Sequence, residues 1–245
     1  MPQQVGSESY MAGDYAAYQA KYRASLKESD KKTIELLGEV LGNASNPKLR
    51  LLDIGCHTGN LLYHIRQRFP SLDLKGGDIF PAIIESCRDD PGLQGIRFDT
   101  LDILSLNLPE VADLVVVSAV LFRFSDEQHE AAWRGIFNTL ATGGAAIIFD
   151  WYHPFKQTVR IIDETEAHPE GLILNIRSQH YVSELLQRIG FADIRFFPFN
   201  IQIDLKLADA SDGVRTYTRT TVDGERLQFR GAIYQPWCHL VVRKG

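Results

Sequence analysis

The chain has 245 residues, and it is short of cysteine, of long apolar runs and of net positive charge. Each shortage removes a class of function. Its three cysteines, Cys56, Cys87 and Cys238, are odd in number, widely spaced and without a Cys-x-x-Cys pair, so neither a disulfide framework nor a zinc site is indicated. They read as buried or incidental thiols. No apolar run approaches the roughly 18 residues that cross a bilayer. The longest, Leu114 to Leu121 and Ala145 to Phe149, are of strand length. The opening stretch, Met1 to Asp14, lacks the basic region and apolar core of a secretory signal, so a cytoplasmic protein with no membrane contact is expected. Basic residues number 26 against 31 acidic ones, and the resulting charge of −5 argues against a nucleic-acid partner. That charge is uneven. Residues 213–245 carry Arg215, Arg219, Arg226, Arg230, Arg243 and Lys244 against Asp223 and Glu225, a local excess of +4 that leaves −9 elsewhere.

What is present is the balance of a globular protein, 44% hydrophobic and 23% charged. Single cores stop growing at roughly 250–300 residues, so one α/β domain with elaborations is expected. Residues 10–41 read as two helices with a break near Ser29-Asp30, either of which can cap the second. Strand and helix signals then alternate: strands at 49–54, 72–76, 96–98, 112–117 and 145–150, helices at 60–68, 81–88 and 126–140. This alternation predicts right-handed crossovers and a doubly wound, mostly parallel seven-stranded sheet with helices on both faces. A further helix at 181–189 and a strand at 194–199 follow. Between 200 and 231 the helical period is lost. There Thr216 to Val222 faces Arg226 to Phe229 across Asp223-Gly224, the signature of a β-hairpin, before a last strand at 237–243. The expected division is an N-terminal helical cap (1–48), a cofactor-binding core (49–199), a hairpin insertion serving as lid or interface (200–231) and the final core strand (232–245).

The first strand runs into Asp53-Ile54-Gly55-Cys56-His57-Thr58-Gly59, a glycine-containing turn that opens a helix. Glycines permit the dihedrals of such a turn and remove side chains that would block a ligand. About twenty residues on, Asp78 ends the second strand, where an acid accepts both hydroxyls of a ribose. A third acid, Asp102, follows the third strand. Ligands of open α/β sheets lie beyond the carboxyl ends of the strands, so the three acids converge on one crevice.

From Leu49 to Asp150 the sequence resembles the class I S-adenosylmethionine (SAM)-dependent methyltransferases, on the acid-x-Gly-x-Gly-x-Gly pattern at 53–59 and the two later acids. The resemblance implies SAM as cofactor and S-adenosylhomocysteine as product. It places Gly55, Cys56 and Gly59 at the methionine part with Asp53 nearby, Asp78 on the ribose, Ile79 on the adenine face, and Asp102 with the Ile103 amide at the adenine edge. His57 stands where the family has its middle glycine. A nicotinamide dinucleotide is the competing ligand, which would make the chain an NAD(P)-dependent oxidoreductase. Its Gly-x-Gly-x-x-Gly spacing fails here, because position 57 is His and position 60 is Asn. A non-catalytic SAM-binding or scaffold protein is the third reading.

Tyr15, Tyr18 and Tyr22 share one face of the first helix, and Tyr22 is the candidate to reach the cofactor. At the fourth strand end, Ser118 is assigned to the cofactor and Arg123 to the substrate. At the fifth, His153 is the candidate general base, with Trp151 and Tyr152 as a substrate wall. Arg215 and Arg219 project to one side of the hairpin as a clamp for a carboxylate or phosphate, and the insertion serves alternatively as a homodimer interface. The Asn/Asp-Pro-Pro-Tyr/Phe tetrapeptide of base and amide methylation is missing, and no acid cluster follows the fourth strand, so no metal is expected. The function expected is methyl transfer to an oxygen, or a nitrogen, of a small and anionic molecule.

Overall fold

The computed structural model describes residues 21–42, 48–166, 168–207 and 215–245. Tyr15, Tyr18 and most of the first predicted helix lie outside the described residues. Its end, Lys21 to Ala24, is helical. The second helix, α1 (Glu28–Leu41), starts before the expected cap: Lys27 is the N-cap residue, and Ser29 and Asp30 fall in the first turn.

The alternating region forms β1 (Arg50–Ile54), α2 (Asn60–Arg68), β2 (Asp73–Asp78), α3 (Pro81–Asp89), β3 (Arg97–Thr100), β4 (Ala112–Ser118), α4 (Asp126–Thr139) and β5 (Leu140–His153). Beyond it come β6 (Val159–Thr165), β7 (His168–Ser178), α5 (Gln179–Ile189), β8 (Phe191–Pro198), β9 (Thr216–Thr220), β10 (Arg226–Arg230), β11 (Ile233–Tyr234) and β12 (Trp237–Lys244). The main sheet has the order β3-β2-β1-β4-β5-β12-β8. Pairing is parallel from β3 to β5, whereas β12 runs antiparallel between β5 and β8. This is the doubly wound sheet that the alternation predicts.

Each strand divides its side chains between two cores because the pleat has period two. Leu52, Ile54, Val115, Val117, Ala146 and Ile148 pack against Trp133 and Ile136 of α4 and Leu185 and Leu186 of α5. Leu51, Leu114, Val116 and Ile147 pack on the other face against Leu36 and Leu37 of α1, Leu62 of α2 and Ile84 of α3. Local signals agree with this packing. Ser125 and Gln128 close α4 with a reciprocal capping box.

Two features correct the sequence reading. The fifth strand runs three residues past Asp150, to His153. After it, a hairpin that the sequence reading left unassigned pairs β6 with β7, and β7 returns beside β5 through Tyr152↔Arg177 and His153↔Ser178. This brings the main sheet assembly to nine strands rather than seven. The expected hairpin at 216–230 is present and carries a third strand, β11, in a separate small sheet.

The turn Leu121–Arg123 that leaves β4 is anchored to β7 by two buried side chains. Arg177, 1% exposed, donates to the Leu121 and Phe124 carbonyls and pairs with Asp126 at 3.1 Å. Asn175 donates to the Phe122 and Phe124 carbonyls at 3.1 Å each. Replacing Arg177 with Leu removes its bonds to both carbonyls, which keep only the Phe124 amide and Asn175 Nδ2 respectively, and removes the pairing with Asp126; charge-assisted bonds of this kind are worth about 1.5–3 kcal/mol each. Urea unfolding of Arg177→Leu is expected to show a loss on the order of 3 kcal/mol, and an unchanged midpoint would contradict this anchoring role.

Candidate active site at the strand ends

The glycine turn closes by backbone contacts to the next strand. The amides of Gly55 and Cys56 both donate to the Gly77 carbonyl, at 2.7 and 3.1 Å, and the Gly59 amide donates to the Cys56 carbonyl at 2.9 Å. Gly55 and Gly59 adopt φ of +78° and +69°, a region that side chains disfavour. A Cβ on Gly55 would lie 2.7 Å from Val120 Cγ2, and one on Gly59 would lie 2.8 Å from Leu93 Cδ1. The sequence reading gave these glycines the task of clearing room for a ligand. The structure corrects this in part, because the room beside them is filled by the protein's own side chains. His57, in the family's middle-glycine place, has φ +45° and donates its amide to Asp78 Oδ2 at 3.0 Å.

Asp78 therefore already holds two backbone amides, the second being that of Phe80, which donates to Oδ1 at 3.2 Å. A carboxylate offers about four acceptor positions, so two remain for a diol. Beside it Ile79 is 51% exposed, an apolar surface open to a flat ring. Asp102 is half-buried and accepts the Leu104 amide at 2.9 Å, while Ile103 is buried at the same turn. Asp53 is 2% exposed on the α1 face of β1. Burial first, and the charges of Asp30 and Asp78 second, push its carboxyl up to about 8. Cys56 is buried beside it and its thiol is pushed upward, through contact with Cys87 and burial, which leaves it no reactive thiolate.

The segment before α1 docks on this turn. Arg23 donates to Asn60 Oδ1 at 2.6 Å and to the Thr58 carbonyl at 3.1 Å, and pairs with Asp90 at 2.9 Å. His64 meets the Tyr22 carbonyl at 3.0 Å, which fixes Tyr22 over the start of α2. None of these partners was legible as a pair in the sequence, since they join residues 35 to 67 positions apart.

The substrate candidates separate by face. Along β5, Phe149, Trp151 and His153 share the face of α1 and of Asp53, and Ser118 at the end of β4 pairs beside Phe149. Tyr152 points to the opposite core and meets Phe196 edge-on at 5.6 Å, so the Trp151-Tyr152 wall is corrected: successive residues of a strand cannot line one side. On the Trp151 side the aromatic cluster is Phe122, stacked on Trp151 at 4.9 Å and 22°, with Trp237, stacked on Phe149 at 4.5 Å and 12°. Arg123 lies over the Phe122 ring at 5.5 Å. Asp150, turned to the other face, accepts the amides of Phe122 and Trp151 and so ties the two strand ends together; burial pushes its carboxyl up to about 7. The sequence reading missed Phe122, Trp237 and Asp150, although two of the chain's three tryptophans at strand ends were the available signal.

The base assignment of His153 also needs correction. Its Nδ1 accepts the Phe155 amide at 3.1 Å, so in the neutral ring the proton resides on Nε2, which then donates and cannot accept. The arginines of the second hairpin fall into two pairs, one on each side of it. Cross-strand pairing puts Arg226 and Arg230 on the core-facing side with buried Thr218 and Gln228, where they pair with Asp204 and Asp163. Arg215 and Arg219 are exposed on the other side, and Arg219 lies over Tyr217 at 5.6 Å. Among the described residues no group of three or more His, Cys, Asp or Glu side chains is arranged to hold a metal.

Residues 51–144 match the family model of a methyltransferase domain. Among curated proteins, the chain is 33% identical over 107 residues to malonyl-acyl-carrier-protein O-methyltransferase of Acetivibrio thermocellus, covering 44% of this chain and 38% of that one. It is 32% identical over 129 residues to trans-aconitate 2-methyltransferase of Methylobacterium radiotolerans, covering 53% and 47%. The match thus spans less than half of either relative. Among solved structures, a SAM-bound amino pentose methyltransferase from Micromonospora echinaspora has the same fold, with a TM-score of 0.59, 16% identity, and 94% of this chain and 97% of that one covered.

The residues present fit SAM: free acceptor positions on Asp78 for a diol, exposed Ile79 for the purine, and a buried acid, Asp53, where a cation would sit. Burial holds this acid neutral, and a cation beside it favours its ionised form. Between pH 5 and 6.5, below the range in which the ligand's own amine titrates, SAM affinity is therefore expected to rise by up to about tenfold per pH unit. Calorimetry across this range checks it. Asp53→Asn should flatten the slope, and a pH-independent affinity in the unmodified protein would contradict the assignment.

Proposed function

We propose that this chain, a class I SAM-dependent methyltransferase by family, transfers a methyl group to an oxygen of a small anionic molecule held at the ends of β4, β5 and β12. The observation that carries this reading is the shared face of β1, β4 and β5. On that face Asp53 and Ser118 lie toward the glycine turn and the Trp151 and Trp237 rings, with Phe122 stacked on Trp151, lie farther along, which supports a cofactor on the first side and an acceptor on the second. Names among the matched relatives, one an O-methyltransferase and one acting on trans-aconitate, favour oxygen and an anion.

When bound, the cofactor supplies a methyl carbon on a sulfonium, which passes to a nucleophile as the carbon–sulfur electrons return to sulfur. The chain's own work is alignment and exclusion of water. Asp78 and Asp102 would hold the nucleoside end and Asp53 the charged end, with the segment carrying Arg23 and Tyr22 docked on the turn. The aromatic rings give the acceptor a flat, dry surface, and Arg123 beside Phe122 favours negative charge. An acceptor that is already ionised needs no base, which accords with the donor state of His153. Nitrogen acceptors remain the second choice, because an uncharged amine gains nothing from Arg123.

SAM is expected to bind the full chain, and Asp78→Ala to weaken it by roughly tenfold or more, since charge-assisted bonds to two hydroxyls are lost. Heat of binding from NADH with none from SAM would overturn the reading in favour of an oxidoreductase. A screen of small carboxylates, phenols and amines for S-adenosylhomocysteine release identifies the acceptor, and SAM binding with no release from any class would mark a non-catalytic binder. Turnover is expected to persist in EDTA; its loss, with recovery on adding Mg²⁺, would contradict the metal-free mechanism.

A further inference from the structure

Trp151 and His153 stand two residues apart on the same face of β5, and each carries one buried N–H group. Trp151 is 2% exposed and His153 8%. Among the described residues, neither Trp151 Nε1 nor His153 Nε2 meets a hydrogen-bond partner. Both are donors: the indole nitrogen has no other state, and His153 Nε2 holds the ring proton because Nδ1 accepts from Phe155. A buried donor without a partner costs about 1–3 kcal/mol, and native proteins rarely leave two side by side unless a ligand completes them. Elsewhere along β5 the carboxylate of Asp150 accepts two backbone amides, while the Tyr152 hydroxyl, in the opposite core, is also without a partner; Trp151 and His153 differ from it in lying two residues apart on one face at the strand end.

The surroundings point to the same kind of ligand. Phe122 covers one face of the Trp151 indole, and Trp237 closes its edge at 5.5 Å. The Arg123 guanidinium lies over the outer part of this stack. Strand geometry places the two Cα atoms roughly 6.5–7 Å apart, a span that one small molecule bridges. Residues 154–158, all exposed, cover His153 from the solvent side, and the Phe155 ring lies 5.9 Å from the imidazole while 68% exposed. A ligand approaching from this side displaces the exposed segment, and a movement that keeps the Phe155 amide on Nδ1 leaves the Nε2–H in place.

We propose that the Trp151 Nε1–H and His153 Nε2–H groups are the binding site for the oxygens of an aromatic or otherwise planar carboxylate, which is the methyl acceptor. This rests on the methyltransferase reading and narrows it from a small anion to a carboxylic acid bound as its anion. In the transfer, one carboxylate oxygen uses a lone pair to form the new O–CH₃ bond while the C–S bond breaks toward sulfur. The products are a neutral ester and a neutral thioether, and no proton changes hands. The two N–H groups hold the carboxylate in line and withdraw no proton from it, so His153 acts in substrate binding rather than as a base.

The test uses the full chain saturated with S-adenosylhomocysteine, with benzoate as the probe and benzamide as its uncharged counterpart. The three tryptophans give three indole N–H signals in a ¹⁵N-labelled sample, and Trp151→Phe identifies the one from position 151. Benzoate is expected to move that signal downfield as the indole gains an anionic acceptor, and benzamide to move it far less. Trp151→Phe and His153→Phe, which keep a ring but lose the N–H, should each weaken benzoate binding about tenfold while the S-adenosylhomocysteine affinity stays the same. Each substitution also costs some stability, since Trp151→Phe shrinks a buried stacked ring and His153→Phe removes the acceptor of the Phe155 amide, so binding is compared at a temperature at which both variants are folded. An unmoved Trp151 signal in a protein that binds S-adenosylhomocysteine would overturn the carboxylate site alone. So would a Trp151→Phe variant that binds benzoate as well as the parent. Failure to bind S-adenosylhomocysteine at all would instead overturn the methyltransferase reading, and the proposal with it.

Discussion

The pleat of β5 decides which side chains meet at the strand-end face. It is a 14-residue strand paired on one side with β4 and on the other with β12. Those pairings fix its register, and a slip by one residue would exchange its two faces entirely. Fixed as it is, Phe149, Trp151 and His153 face the cofactor side, while Asp150 and Tyr152 face the opposite core. Antiparallel β12 repeats the pattern in register, setting Trp237 beside Trp151 and His239 beside Phe149. The aromatic cluster thus takes Trp151 and Trp237 from the alternation of two paired strands and Phe122 from the turn after β4, which stacks on Trp151.

The same constraint explains what the sequence revealed and what it withheld. The strand ending in Asp53, the glycine turn and the acids Asp78 and Asp102 are local signals, each readable within a window of ten residues. Their convergence follows from the parallel sheet. Ending the fifth strand at Asp150 hid the wall, because beyond that point Trp151, Tyr152 and His153 read as loop, and a loop lets neighbours line one side. The β6–β7 hairpin was missed for another reason. Its strands are half-buried, with Ile162 and Ile173 paired outward, so the alternation of apolar and polar residues that marks a strand is blurred. The arginines of the second hairpin were correctly paired along each strand, but which pair faces the core is set by where Gln228 and Thr218 are buried, a tertiary fact.

Electrostatics at the crevice is arranged around charges that are absent until ligands arrive. Asp53 is neutral in the empty site because burial outweighs its preference for ionisation, and it stands near two further acids. A raised carboxyl destabilises the empty fold increasingly as pH rises from its ordinary range toward 8, since the unfolded chain ionises first. His239 illustrates the opposite case on the same face. Burial lowers it to about 4, and its Nε2 meets the Ser29 carbonyl at 3.2 Å and Thr33 Oγ1 at 3.1 Å, so it remains a neutral tie between β12 and α1. Trp151 Nε1 and His153 Nε2 without partners and a neutral Asp53 on the same sheet face are the features on which the proposal of one cationic and one anionic ligand rests.

A crystal structure of the full chain with S-adenosylhomocysteine bound examines this arrangement most directly. The account predicts the ribose hydroxyls on Asp78, the adenine over Ile79 with its edge at Asp102, the ammonium on the side of Asp53, and the sulfur directed toward the Phe122-Trp151-Trp237 wall. A ligand bound with its sulfur turned away from the ends of β4 and β5, or seated elsewhere on the molecule, would contradict it.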